Sequence, residues 1–346
     1  MVFLMTFLLG LVTPAKVSAV QAVDLTDGQL VEKVPYSVPF ETYEAWMTFL
    51  SGRLKQRFPE MTAEAIEARY PVERFESFKK GEPLQCFRIA YMSDGLKVRG
   101  FLIEPSGAVK PRPVVIFNRG GNRDFGKLSF GTLFMLHEIA SWGYVVLASQ
   151  YRGNDGGEGT EAFGGADVND VGNLISLAKT LESADAARIG MYGWSRGGMM
   201  TFLALKQFKG ISAAIIGAGE TDLVASIGKR PDMEKYVYRE LIPDYDVNKM
   251  AALKERSAIQ WVDALPKEVP LLLLHGSGDK RVSPAGVLAM AEKLYEHKHP
   301  FRMVFFEGGN HGLFFEKQEV NQQVRRWLDT YVRDQTPPPG LESVDD

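Results

Sequence analysis

The segment Gly193-Trp194-Ser195-Arg196-Gly197 separates an apolar run, Ile189 to Tyr192, from a stretch of helical spacing, Gly197 to Gln207. A serine held at a tight strand-to-helix turn is thrust out of the sheet, and packing that close requires glycine on both sides. The helix N-terminus contributes positive potential, and the backbone N–H of Arg196 is a candidate donor to a developing oxyanion. The competing reading is a glycine-rich turn whose serine merely caps a helix. The strand before and the helix after weigh against it.

A serine hydroxyl is a poor nucleophile near neutral pH and needs a base. Among His137, His275, His297, His299 and His311, the context of His311 stands apart. It lies in Glu307-Gly308-Gly309-Asn310-His311-Gly312, directly after a strand-like run. His297 and His299 fall at a charged helix end, His137 within a helix and His275 at a strand end, positions expected to be solvated or structural. Asp279, in His275-Gly276-Ser277-Gly278-Asp279-Lys280-Arg281-Val282, also follows a strand and would orient the imidazole and stabilise the imidazolium. Asp222 is the alternative acid. A second oxyanion donor is expected from the loop Asn118-Arg119-Gly120-Gly121-Asn122, through the backbone N–H of Arg119 or Gly120, with the Arg119 side chain expected in solvent.

This chemistry is acyl transfer and calls for no metal and no cofactor. Two glycine-rich segments imitate nucleotide sites. Gly121 to Lys127 resembles a phosphate-binding loop, but Leu128 stands where a magnesium-binding Ser or Thr is needed. Gly157 to Ala162 mimics a dinucleotide fingerprint but lies in a polar loop well before the next helix.

These residues must be positioned by the elements around them. Phe87 to Met92 and Leu96 to Ile103 read as a hairpin around Ser93-Asp94-Gly95. Further strands are expected at Pro113–Phe117, Tyr144–Gln150, Arg188–Tyr192, Ile211–Ile216, Leu271–His275 and Phe301–Phe306. Helices are expected at Leu133–Trp142, Val168–Leu181, Gly197–Gln207, Pro284–Glu296 and Gln318–Val332. Short apolar strands alternating with longer helices imply a mainly parallel, twisted sheet covered on both faces. In such sheets the site gathers at the C-terminal ends of the strands. Gly219 to Lys267 interrupts the rhythm and reads as a helical insertion near the site. The order Ser, Asp, His along the chain is that of the α/β-hydrolase fold.

The organisation expected is an apolar leader at 1–22, a helical preface at 23–85, the catalytic domain at 86–332 and a disordered tail at 333–346. Met1 to Val12 is apolar apart from Thr6 and Gly10, and Val17-Ser18-Ala19 and Val20-Gln21-Ala22 resemble signal-peptidase sites. No Lys or Arg precedes the run, and it is short for a bilayer span. The expectation is a periplasmic or secreted protein without a transmembrane span, cytoplasmic residence being the alternative. With 45% hydrophobic residues, a formal charge of −3 and Cys86 as the single cysteine, the 346-residue chain supports a large core. It offers nothing to a nucleic acid and has no intrachain disulfide.

Taken together, the chain resembles the catalytic domain of the prolyl oligopeptidase family of serine peptidases over roughly Phe87 to Val332. The resemblance includes Ser93 to Gly100, Tyr151-Arg152-Gly153, Gly164 to Val171, and the Trp194 and Gly198 flanks of the nucleophile. It implies an α/β-hydrolase fold and small peptides as substrates. It makes Arg281 and Trp194 candidate substrate contacts, with Tyr236, Tyr238 and Trp261 candidates for an aromatic pocket. Family members usually carry a β-propeller; here roughly 60 residues separate the leader from the hairpin. Arg119 stands where many members have a histidine or tyrosine. An esterase of small acyl, lipid or carbohydrate esters is the alternative activity, and a non-catalytic binding protein of the same fold the second alternative.

Overall fold

The computed structural model describes residues 26–107 and 110–341. The leader at 1–22 and the last residues of the expected tail, 342–346, lie outside the described residues. The strands are β1 (Leu30–Pro35), β2 (Leu84–Ser93), β3 (Leu96–Pro105), β4 (Arg112–Asn118), β5 (Val145–Ser149), β6 (Ala184–Trp194), β7 (Ala213–Gly217), β8 (Leu271–Gly276) and β9 (Phe301–Phe306). They form one sheet in the order β1-β2-β3-β5-β4-β6-β7-β8-β9. The pairs from β5 through β9 are parallel, and β1, β2 and β3 join antiparallel at one edge.

Strand periodicity divides the side chains between two cores. Val114 and Ile116 of β4, with Leu271 and Leu273 of β8, face one cluster; Val115, Phe117, Leu272 and Leu274 face the other. The first cluster is closed by α5 (Val168–Ala178), α6 (Arg196–Gln207), α7 (Tyr245–Glu255) and α8 (Pro284–Glu296). The second is closed by α4 (Phe130–Ser141) and α9 (Lys317–Leu328), with a final turn at Asp329–Arg333. That turn packs on β6: a Cβ added at Gly190 would lie 2.8 Å from Val332 Cγ2.

The preface is helical over α1 (Tyr43–Arg57), α2 (Ala63–Arg69) and α3 (Val72–Lys80), with Thr42 and Thr62 as side-chain N-caps. One part of it differs from expectation. Residues 30–35 are a strand, β1, because an antiparallel edge was open beside β2 and backbone pairing there satisfies its polar groups. The α1 face places Trp46 against Phe75, Phe130 and Phe134, so the preface is sealed to the second core rather than appended to it. The insertion after β7 is helical as expected, with a π-helical turn at Glu234–Tyr238. Among the described residues no helix is long and apolar enough to cross a membrane.

Candidate active site

β6 ends at Trp194 and α6 begins at Arg196, leaving Ser195 alone at the turn with φ 58° and ψ −123°. A non-glycine residue there is strained, and the neighbours hold it. The Ser195 N–H donates to Gly217 O at 2.8 Å. A Cβ on Gly193 would lie 2.1 Å from Gly197 O, and one on Gly197 1.8 Å from Asn118 O. The flanking glycines are therefore demanded by contact with backbone on both sides. Gly120 approaches from β4, where a Cβ would meet Ser195 Cβ at 3.1 Å. The Gly120 backbone thus lies beside the serine, as a second oxyanion donor requires.

The loops after β8 and β9 are joined through glycine as well. Gly278 N–H donates to Gly309 O at 2.9 Å and Ser277 N–H to Phe306 O at 2.8 Å, and a Cβ on Gly276 would stand 2.1 Å from Gly309 O. This brings Asp279 Oδ2 to 2.8 Å from His311 Nδ1. Asp279 Oδ1 accepts from the backbone of Arg281 at 2.8 Å and Val282 at 3.0 Å. Burial alone would raise the Asp279 carboxyl; hydrogen bonds from His275 and His311 outweigh it and hold the group well below the usual carboxylate range. An ionised carboxylate only accepts, so His311 Nδ1 carries the proton and donates it. Nε2 is then left basic.

His275, expected to be structural, is fully buried, and its Nε2 lies 3.3 Å from Asp279 Oδ2 and 3.2 Å from Val282 O. Its position four residues before Asp279 was the available signal. Asp222, the alternative acid, instead caps the short helix that follows it, accepting from Ala225 N–H at 3.0 Å.

Ser195, Arg196, Arg281 and His311 line one cavity, whose other walls include Phe125, Phe163 and Tyr238. Of the aromatic candidates only Tyr238 is among these; Tyr236 is half exposed and Trp261 packs under Lys206. Trp194 is not at the cavity: its ring lies against Gly217 and its Nε1–H donates to His311 O at 3.0 Å, so it steadies the histidine loop. The Arg119 side chain is also corrected. It is 1% exposed rather than solvated, and its guanidinium donates to the carbonyls of Gln150 (3.1 and 2.9 Å), Gly120 (3.1 Å) and Arg123 (3.2 Å). A short polar loop leaves many carbonyls unpaired, and a five-donor fork satisfies several at once. The Arg196 side chain is likewise internal, pairing with Glu161 and Asp167 and donating to Gly121 O at 3.0 Å.

A profile of the Prolyl oligopeptidase family matches residues 130–335, more than half of the chain. The chain belongs to the prolyl oligopeptidase family. It is 28% identical to the uncharacterized peptidase YtmA of Bacillus subtilis, over 74% of this chain and 98% of that one. It is 25% identical to the acylamino-acid-releasing enzyme of Sus scrofa, over 69% of this chain but only 34% of the relative. The acylaminoacyl peptidase of Pyrococcus horikoshii superposes with a TM-score of 0.62 at 23% identity, covering 73% of this chain and 42% of that one. The chain therefore spans about a third of the length of the acylamino-acid-releasing enzyme it matches. The fold is the α/β-hydrolase fold of serine peptidases.

The family's other motifs meet away from the cavity. Arg152 Nη2 is 2.7 Å from both Asp170 Oδ1 and Asp94 Oδ2, and Ser93 Oγ donates to Asp170 Oδ1 at 2.7 Å. The hairpin, the Tyr151-Arg152-Gly153 turn and α5 are thereby pinned together. Tyr151 completes the link to the site, its hydroxyl donating to Arg119 O at 3.0 Å. These residues hold the sheet's antiparallel side to the loop of Arg119 and Gly120; they are not among the residues lining the cavity.

Proposed function

We propose that this serine peptidase cleaves peptide bonds with Ser195 as nucleophile, His311 as general base and acid, and Asp279 as the group that orients and stabilises the imidazole. The observation that carries the reading is the Asp279–His311 hydrogen bond at 2.8 Å on a histidine that shares its cavity with the strained Ser195. Ser195 Oγ attacks the scissile carbonyl while His311 Nε2 takes its proton. The resulting oxyanion is held by backbone N–H groups, Arg196 at the start of α6 and Arg119 or Gly120 in the facing loop. His311 then returns the proton to the departing amine, leaving an acyl-enzyme. Water repeats the sequence in reverse and frees the acid. Asp279 stays ionised throughout.

The test is a panel of chromogenic amides and short acyl esters, run beside labelling with an organophosphate. Turnover of amides, labelling at Ser195 and loss of both in Ser195→Ala is the expected result. Removing the nucleophile should cost at least about a thousandfold in rate. Near-native turnover by Ser195→Ala would refute the assignment, and hydrolysis of esters without amides would make the enzyme an esterase instead.

A further inference from the structure

One carboxyl group in the cavity has no part in the proposed acyl transfer. Glu220 follows β7, and its backbone is brought beside the serine turn because Gly219 packs on α6: a Cβ at Gly198 would lie 2.8 Å from Gly219 Cα. Its side chain is 11% exposed and lines the same cavity as Ser195 and His311. Oε2 is buried and has no hydrogen-bond partner among the described residues. The nearest cation, Arg230 Nη1, stands 3.9 Å from that oxygen, beyond hydrogen-bond reach. The walls also include the uncharged Phe163, Met199, Met233 and Tyr238, together with Arg196, whose guanidinium is paired with Glu161 and Asp167, and Arg281 and His311, none of which is an ion-pair or hydrogen-bond partner of Glu220.

We propose that Glu220 makes the cavity selective for substrates carrying a protonated amine beside the scissile carbonyl. A buried carboxylate oxygen without a donor is costly unless a ligand both hydrogen-bonds it and carries positive charge. An ammonium group does both, a neutral amide only the first, and an acidic substrate is repelled. Burial pushes the Glu220 carboxyl up to about 7, assisted by the charge of Asp222 and opposed by Arg230, the Asp222 backbone amide and His275. Arg230 therefore compensates the burial only in part. The ammonium group can come from a lysine-like side chain or from a free α-amine, and both present the same chemistry. This inference rests on the serine-peptidase reading and names its substrate class.

The experiment uses the full chain and two pairs of p-nitroanilides. One pair is N-acetyl-lysyl against N-acetyl-norleucyl; the other is free alanyl against N-acetyl-alanyl. In at least one pair, kcat/KM should favour the ammonium by about ten- to a hundredfold, as hydrogen bonds to charged groups do. The pair that shows it identifies the source. The preference should collapse toward unity in Glu220→Gln. A second measurement needs no variant: in the pair that shows the preference, the ammonium-to-neutral ratio in the parent should fall as pH drops below about 7, where the carboxyl becomes neutral. Any pH dependence of the acyl-transfer chemistry itself is common to both substrates of a pair and cancels in that ratio. Absence of preference in both pairs, its survival in Glu220→Gln, or a pH-independent preference would each overturn the proposal. Turnover of the neutral substrates with Ser195 labelled would then leave the peptidase reading standing. Absence of both labelling and turnover would remove that reading and this proposal with it.

Discussion

Asp279 is held by four hydrogen-bonding groups, and each favours its ionised form. Replacement by asparagine keeps the shape but can offer His311 Nδ1 an N–H where an acceptor is needed. Asp279→Asn should therefore lower kcat by about ten-thousandfold through the wrong tautomer, with the fold retained. Steady-state rates beside a circular-dichroism melt check this; a loss below about tenfold would show that Asp279 does not orient the base. The stability side has a definite sign. A carboxyl lowered on folding stabilises the protein at pH values above its unfolded pKa, about 3.9, and that contribution is lost as pH falls further. Arg119 belongs to the same scale but to a different role. Arg119→Ala strips donors from several buried carbonyls at once and should destabilise the fold by about 2–4 kcal/mol, read from urea denaturation. An undiminished midpoint accompanied by a large fall in kcat would instead give the guanidinium a part in holding the oxyanion.

At the scale of elements, α2 reaches the histidine loop from the preface. The Arg69 guanidinium donates to Phe314 O and lies 3.7 Å from the centre of the Phe314 ring, while Phe58 stacks on the same ring at 4.6 Å. Phe314 is three residues beyond His311, so the preface braces the segment carrying His311. Arg69→Ala should lower kcat by up to about a hundredfold, the cost of a small displacement in a reacting group, with little change in KM. Equal effects on kcat and thermal stability across several substitutions in α2 would indicate general loosening instead. The sheet and the Ser, Asp and His loops were legible because apolar strands alternate with longer helices and because glycine recurs where backbones touch. β1 was not legible, since LVEKVP has neither a full apolar run nor strict alternation and pairs only along an edge. α3 lies inside the helical preface expected at 23–85, but its bounds were not legible because its apolar residues are few, Phe75 and Phe78 supplying its buried face. Trp194, Arg119 and Glu220 were beyond reach for another reason. Which way a side chain points off a loop depends on partners far along the chain.

At the scale of the molecule, the preface is joined to the catalytic domain by an aromatic seam that also buries His137. That histidine is 3% exposed, with its ring 5.0 Å from the Phe78 ring and neither nitrogen hydrogen-bonded among the described residues. Burial first, and the Arg74 charge second, push its pKa down to about 4. The sign follows: the folded protein binds the neutral ring, so full stability is present above the unfolded pKa of about 6.5. It declines as pH falls toward 4. His137→Leu should flatten that decline, seen as a smaller difference in urea midpoint between pH 7.5 and pH 5 than in the parent. Parallel behaviour of parent and variant would show that the seam does not set acid tolerance.

The turn at Asp329–Arg333, packed over Gly190 of the nucleophile strand, also has a consequence in time. Ribosomes make the chain from its N-terminus, so Ser195 emerges long before His311, and the cover on its strand emerges later still. Until residues 328–332 are made, Gly190 of β6 lacks the cover of Leu328 and Val332, and earlier still His311 itself is missing. A nascent chain that has not yet reached 311 thus carries Ser195 without the loop of His311, and on the proposed mechanism it cannot cut peptides.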